Sequence, residues 1–348
     1  MLSILLALAC ADPLPPEFDH TAIGLGVTSL RSTLFSADSL LGLPIHLETV
    51  PGHLIVTDLV SDVPIHVFDI RRGARTGRYG SRGEGPGQFL RPTRPFWAPE
   101  DSTVWVFDRR LKRMTGVPLS DMLESRAAGA TLEPATVLFD PNGGFLSAQA
   151  VGDSSWVAVG ALPADRFARI SNTGEVLETF GDRLGAPDMP ATAAAQAYQP
   201  VLAPTTVENT IAVAGTVGGF VDFCDLAGSC RSAHVPFPFD PVFELRTSGS
   251  QGYVVFGDDA RRAYIDVDAT AGHVYALFSG RSFGRYNERA AFGRYVHVFD
   301  WEGSLEAVWE LDRDAIALAI SEDTGVLFAA IHEPLPAVVA YQVPCGGC

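Results

Sequence analysis

Six pairs of short apolar runs, each pair joined by a turn and the pairs recurring at roughly fifty-residue intervals, constrain this chain more than any other feature. The runs are His53–Asp58 with residues 65–70, Thr103–Asp108 with Arg113–Pro118, and Ser155–Gly160 with residues 166–170. Thr210–Gly215 with residues 220–224, His273–Phe278 with residues 295–299, and Val326–Ile331 with Ala337–Gln342 complete the series. Each pair is rich in Val, Ile, Phe and Tyr. Most second runs end in a glycine turn such as Arg72-Gly73, Asn172-Thr173-Gly174, Leu226-Ala227-Gly228 or Trp301-Glu302-Gly303, so each pair reads as a β-hairpin. Further short runs, for example residues 176–180, 307–311 and 316–320, lie between the hairpins. Four strands per unit and six units predict an all-β, six-bladed β-propeller with four-stranded antiparallel blades. The one Ala-rich stretch, Ala191–Ala197, is bracketed by prolines and reads as a loop insertion. The sixth unit reaches Val343 after only three strands. Closing the ring therefore calls for an N-terminal strand, expected within residues 22–32, that joins the last blade and leaves no free edge. The propeller is assigned to residues 22–343.

Composition agrees and excludes several function classes. Apolar residues make up 47% and charged residues 19%, with 34 Gly and 24 Pro spread along the chain, as in a turn-rich β protein. The formal net charge is −16, and no basic run exceeds two residues, as in Arg71-Arg72 or Arg109-Arg110, so there is no cationic stripe for nucleic acid.

The N-terminal MLSILLALAC is an apolar run too short to span a bilayer. Ala7-Leu8-Ala9-Cys10 resembles a lipoprotein signal, with residues 1–9 removed, Cys10 lipidated and residues 10–21 forming a linker. An ordinary cleaved signal and a buried first strand are the alternatives. The four other cysteines pair locally as Cys224 with Cys230 and Cys345 with Cys348, the second pair lying in a Cys-Gly tail at 344–348. A four-thiolate zinc site is the sharper alternative, but the first pair is spaced too widely for a zinc knuckle.

The segment Gly80-Ser81-Arg82-Gly83-Glu84-Gly85-Pro86-Gly87-Gln88-Phe89 resembles the G-x-G-P-G-E-F turn of the TolB-like six-bladed propeller lipoproteins, with Gln88 where that family usually has Glu. Residues 273–341 are similar more broadly, through Tyr275-Ala276-Leu277-Phe278-Ser279-Gly280, His297-Val298-Phe299-Asp300-Trp301-Glu302-Gly303 and Leu311-Asp312; residues 115–266 match only in rhythm. The resemblance implies a lipid-anchored propeller on the bacterial envelope, from a family with no established catalytic residues. Read from the residues themselves, Gly83, Gly85 and Gly87 permit positive φ in a tight inter-blade turn, Pro86 fixes one step, and Phe89 plugs the groove between blades. A phosphate cradle is disfavoured because Glu84 would repel the anion and no helix follows. Val67-Phe68-Asp69, Val106-Phe107-Asp108 and Val298-Phe299-Asp300 read as strand ends whose aspartates cap their own turns, metal binding being the alternative.

Catalytic patterns are weak. Gly280-Arg281-Ser282-Phe283-Gly284 fits the serine-hydrolase elbow, yet it leads from strand to strand rather than into a helix. His332-Glu333 is followed by Pro334 and Pro336, which exclude a zinc-protease helix. His53, His66, His273 and His297 each lie at or near a strand start and read as rim or core residues. The serious enzymatic alternative is a metal-dependent propeller hydrolase of lactonase or esterase type, with a cation held by inner-strand carboxylates and amides. Glu208, Asn209, Asp266 and Asp268 are its candidates, although they fall mostly at strand ends and residues 315–320 (AIALAI) offer no ligand.

The favoured expectation is a monomeric, non-enzymatic envelope protein without metal or cofactor, recognising a protein, peptide or glycan partner through its loops. The membrane is met only through the lipid anchor. Loops 82–97, 182–198 and 281–294 are the candidate contacts, with Tyr198, Arg281, Phe283, Arg285, Tyr286, Arg289 and Phe292 as candidate contact residues and Arg294 adding charge.

Overall fold

The computed structural model describes residues 17–36, 41–124, 134–139, 144–151, 155–203, 209–248 and 251–344. The signal segment, Cys10, Glu208, Cys345 and Cys348 lie outside the described residues.

The six hairpins form, and each supplies the two middle strands of a blade. Blade 1 is Pro44–Val50, His53–Asp58, Ile65–Asp69 and Arg75–Tyr79; blade 2 is Pro92–Ala98, Thr103–Asp108, Arg113–Pro118 and Ala135–Leu138. Blade 3 is Phe145–Val151, Ser155–Gly160, Asp165–Ser171 and Val176–Asp182; blade 4 is Pro200–Leu202, Thr210–Gly215, Val221–Asp225 and Cys230–Ser232. Blades 5 and 6 share one continuous strand, Leu305–Ser321. Its first half is the outer strand of blade 5, after Tyr264–Ala269, His273–Phe278 and Gly293–Asp300; its second half is the inner strand of blade 6, before Val326–Ile331 and Ala337–Gln342. Middle strands are apolar on both sides because each is covered by a neighbouring blade on either face; His273–Phe278 is buried from Val274 to Phe278.

Ring closure differs in register from expectation. The strand that completes blade 6 is Ser32–Leu34, antiparallel to Ala337–Gln342 with Ser32 opposite Tyr341. Within residues 22–32, Val27–Leu30 instead runs parallel to blade 5's outer strand, with Val27 opposite Val308 and Leu30 opposite Leu311. Leu30 is the reason: it is the one buried side chain of that strand, and it sits in the core between blades 5 and 6. The expected linker is also shorter than 10–21. Phe18 stacks on Phe237 (4.7 Å between ring centres) and His20 on Tyr295 (3.6 Å), so residues 17–23 are docked on blades 4 and 5.

Two further corrections concern local structure. Ala191–Ala197 is a helix: Pro190 sits at its N-cap, where a proline costs nothing, and Ala is the strongest helix former. Its buried Ala193, Ala194 and Ala197 pack under Phe243 and Val254 of an inserted hairpin, Glu244–Ser248 with Gln251–Val255, which the sequence reading missed. The Val-Phe-Asp motif, moreover, occupies two different positions. Asp69 and Asp300 end third strands and cap the following turn, as Ser171 and Asp225 also do. Asp108 ends a second strand and is matched in blade 1 by Asp58. Its fully buried carboxylate accepts the N–H groups of Leu90, Arg91, Arg110 and Leu111 at 2.7–3.0 Å, tying the inter-blade turn to the blade's own hairpin. Asp108→Ala would strand those donors, and urea unfolding is expected to show a loss of about 3 kcal/mol or more.

Of the three glycines expected at positive φ in the inter-blade turn, two adopt it and Gly85 does not. Gly83 and Gly87 hold φ of +145° and +66°, the Gly85 N–H donates to Gln88 Oε1 at 2.8 Å, and Phe89 is buried between blades 1 and 2. Cys224 and Cys230 are disulfide-bonded across the outer hairpin of blade 4.

Candidate functional site

The inner strand of every blade has one edge with no strand beside it, facing the central channel. Its N–H and C=O groups need other partners. Around blades 5 and 6 side chains supply them. Asp266 Oδ2 accepts the Leu318 N–H at 2.9 Å, Asp268 Oδ2 accepts the Ile320 N–H at 2.7 Å, and the Thr49 hydroxyl donates to the Ile320 carbonyl at 2.8 Å. The remaining oxygens of both aspartates go to one residue of blade 2. Arg94, only 7% exposed, holds Nη2 in an ion pair with Asp268 at 2.7 Å, and donates Nη1 to Asp266 at 3.3 Å and to the Val267 carbonyl at 2.6 Å, and Nε to Glu48 at 3.2 Å.

Asp266 and Asp268 were expected at strand ends; they stand within the inner strand of blade 5 with buried side chains. Asn209 lies elsewhere, in the turn before Thr210–Gly215, with its carbonyl accepting the Leu226 N–H. Residues 315–320 offer no side-chain ligand, as read, but contribute the backbone donors. Glu48, Arg94 and the neighbouring His46 were missed. The available signal was a lone charge inside an otherwise apolar inner run, in Pro44–Val50 (PIHLETV) and Pro92–Ala98 (PTRPFWA).

Three carboxylates around one guanidinium leave negative charge in a dry site. Burial pushes Glu48 up to about 8, with Arg94 opposing and both aspartates adding to the rise. Burial likewise pushes Asp266 up to about 6 and raises Asp268 against the pull of Arg94. Burial alone would weaken the charge on Arg94; the three carboxylates outweigh it and hold the guanidinium ionised. His46 is pushed down to about 3 by desolvation and by the Arg94 charge, and His20, under blade 5, down to about 4 by desolvation.

These shifts set opposite pH slopes. A carboxyl raised on folding holds its proton better in the native state, so its contribution is lost as pH rises, between the ordinary carboxylate range and about 8 for Glu48. A histidine depressed on folding charges more readily when unfolded, so its contribution is lost as pH falls from about 6.5 toward 4 for His20 and 3 for His46. Thermal melts across the pH scale are expected to peak near pH 6–7. Glu48→Gln should flatten the fall on the alkaline side up to about pH 8.

The inner strands run in one direction, from an upper face, where blade-to-blade connections enter them, to a lower face. At the lower face the channel opens into a cavity of about 650 Å³. Glu48 and Asp268 lie at its floor, Trp97 and Thr49 in its wall, and Asp69, Arg71, Glu322 and Asp323 at its rim.

Loops 182–198 and 281–294 lie at the opposite, upper face, as do residues 82–91; the rest of the expected loop 82–97 is instead the inner strand of blade 2, which runs down to Trp97 at the lower mouth. Arg281 forms a two-bond ion pair with Asp314, both bonds 2.8 Å, and Arg289 pairs with Glu333 at 3.0 Å. Tyr286 is buried; Tyr198, Phe283 and Phe292 are half-buried, packed respectively over the Ala191–Ala197 helix, against Phe256 and against His332. Arg285 and Arg289 are exposed. Ser282 is followed by a single helical turn, Phe283–Tyr286, and its hydroxyl is committed to Glu17 at 2.6 Å. His332 Nε2 bonds the Pro44 carbonyl at 2.9 Å.

Six blades around a polar, internally bonded channel define a six-bladed β-propeller. The chain belongs to the TolB-like 6-blade propeller-like family, whose model matches residues 26–323. Among solved structures it is similar to a DUF4221 family member from Bacteroides vulgatus (TM-score 0.57, 9% identity, 91% of this chain and 96% of that one covered). A Bacteroides fragilis protein gives a TM-score of 0.53 at 9% identity, covering 91% and 99%. Streptogramin B lyase gives 0.51 at 11%, covering 90% and 97%. At such identities the likeness is one of fold. No curated protein matches the chain in sequence.

Proposed function

We propose that this propeller is a non-enzymatic binding module of the bacterial envelope, anchored through a lipid on Cys10, that recognises a protein, peptide or glycan partner at one end of its ring. The observation that carries this reading is Arg94. In a metal-dependent propeller hydrolase the channel carboxylates would hold a cation; here both oxygens of Asp266 and of Asp268 are already bonded, to a guanidinium and to backbone N–H groups. That donor set does not fit a divalent ion, which needs six or more oxygens free to turn toward it. The likeness to a lyase shows that such a ring can carry catalysis, but it brings only the fold.

The lower mouth suits a partner better than the upper loops, where Arg281 and Tyr286 already serve the protein itself. Glu17 bonds Ser282 and Arg261 on the upper face, so a tether through the preceding residues leaves from that side and the lower mouth points away from the membrane. Purified protein should carry no stoichiometric divalent cation and show no chelator-sensitive turnover in a lactone and ester screen; a stoichiometric ion with chelator-sensitive hydrolysis would overturn the reading. Mass spectrometry of the protein made in bacteria should find a diacylglyceryl group on Cys10, and an unmodified mature N-terminus elsewhere would remove the anchor.

A further inference from the structure

Building on the binding reading above, we propose that the lower mouth takes a cationic peptide segment, with one lysine or arginine side chain reaching the channel floor at Glu48. The argument rests on which oxygens are spoken for. Asp266 and Asp268 use both of theirs. Glu48 is 5% exposed, lines the cavity, and binds Arg94 through Oε2, leaving Oε1 without a hydrogen-bond partner among the described residues. A carboxylate oxygen at the floor of a cavity can accept a charge-assisted hydrogen bond from a donor entering at the mouth.

The surroundings select the ligand's charge. Asp69, Glu322 and Asp323 stand at the rim and Asp268 at the floor, opposed among the described rim residues by Arg71, with His53 bonded to the Pro51 carbonyl. An ammonium or guanidinium entering from this side meets carboxylates throughout, whereas an acidic ligand is repelled before it reaches the floor. Half-buried Trp97 lines the same cavity, and an aromatic side chain there suits the stem and charge of a basic side chain. A cavity of about 650 Å³ is larger than one side chain needs, so the partner is a segment of chain and not a free amine.

Titration calorimetry with acetyl-Lys-Lys-Lys-amide at low salt tests this directly. The wild type is expected to bind, more weakly as salt rises. Glu48→Gln keeps an oxygen for Arg94 but removes the charge, and should weaken binding about tenfold or more. Affinity should climb between about pH 6 and pH 9 in the wild type, as Glu48 loses its proton, and that climb should vanish in Glu48→Gln. The double variant Glu322→Gln/Asp323→Asn leaves the floor intact and should mainly reduce the salt dependence, which keeps the test decisive if Glu48→Gln folds poorly. Absence of binding at millimolar peptide, equal binding by Glu48→Gln, or tighter binding of acetyl-Glu-Glu-Glu-amide or chitotriose would overturn the proposal. Each of those results would leave the non-enzymatic reading standing, since only cation-dependent turnover bears on that.

Discussion

Removal of residues 17–34 is expected to leave a protein without a cooperative unfolding transition. This stretch does three things. Ser32–Leu34 is the outer strand of blade 6, Val27–Leu30 covers the outer strand of blade 5, and Phe18 with His20 fills the aromatic cleft between blades 4 and 5. The Asp312 carboxylate also accepts the Ser32 N–H at 3.2 Å, locking the crossing point between the two strands. Burying Leu30 contributes about 1.5–3 kcal/mol, and half-buried Phe18 adds a smaller share. Lost strand pairing and two opened edges bring the total close to the whole stability of an ordinary domain, about 5–15 kcal/mol. The check is circular dichroism melting with size-exclusion chromatography, and a deletion variant melting like the parent would refute the closure described here.

Arg94→Met should be the most damaging single substitution in the channel. Methionine fills the volume but leaves Glu48, Asp266 and Asp268 facing one another without a counter-charge, a change that typically costs about 3–5 kcal/mol. The loss should depend on pH. Below about pH 5 the carboxyls, already raised by burial, can take up protons and relieve the repulsion, so the deficit should be small there and largest above about pH 8. Denaturant unfolding of both proteins at the two ends of that range measures it. A deficit that stays constant with pH would mean that Arg94 acts through packing alone.

The repeat was legible because second and third strands are covered by neighbouring blades on both faces and so read as unbroken apolar runs. Outer strands were harder. Arg75–Tyr79 (RTGRY) reads as polar, Cys230–Ser232 is exposed throughout, and the closing strands are only four and three residues long. A parallel pairing such as that of Val27–Leu30 leaves no turn to mark it. The inter-blade turn at Gly83 to Phe89, apart from the conformation of Gly85, and the aspartate-capped turns, apart from the strand that Asp108 ends, were legible because both are local in sequence. The channel was not. Arg94 meets Glu48 across 46 residues and Asp266 across 172, and only closure of the ring brings them together. Asp266 and Asp268 were singled out for their charge, but their counter-ion lay in a different blade, so a metal was the one partner considered for them, in the alternative reading. The candidate loops fared worst for a related reason: arginines and aromatics at loop positions look available in sequence, and Arg281 and Tyr286 are satisfied by Asp314 and by packing.

Titration of the wild-type protein with calcium, followed by calorimetry, tests most directly whether Arg94 already does a metal's work in the channel. No saturable heat is expected at micromolar to millimolar calcium, because the Asp266 and Asp268 carboxylates of the channel are already bonded. One-to-one binding in the micromolar range, abolished by Asp266→Asn, would contradict the account and return the channel to metal chemistry.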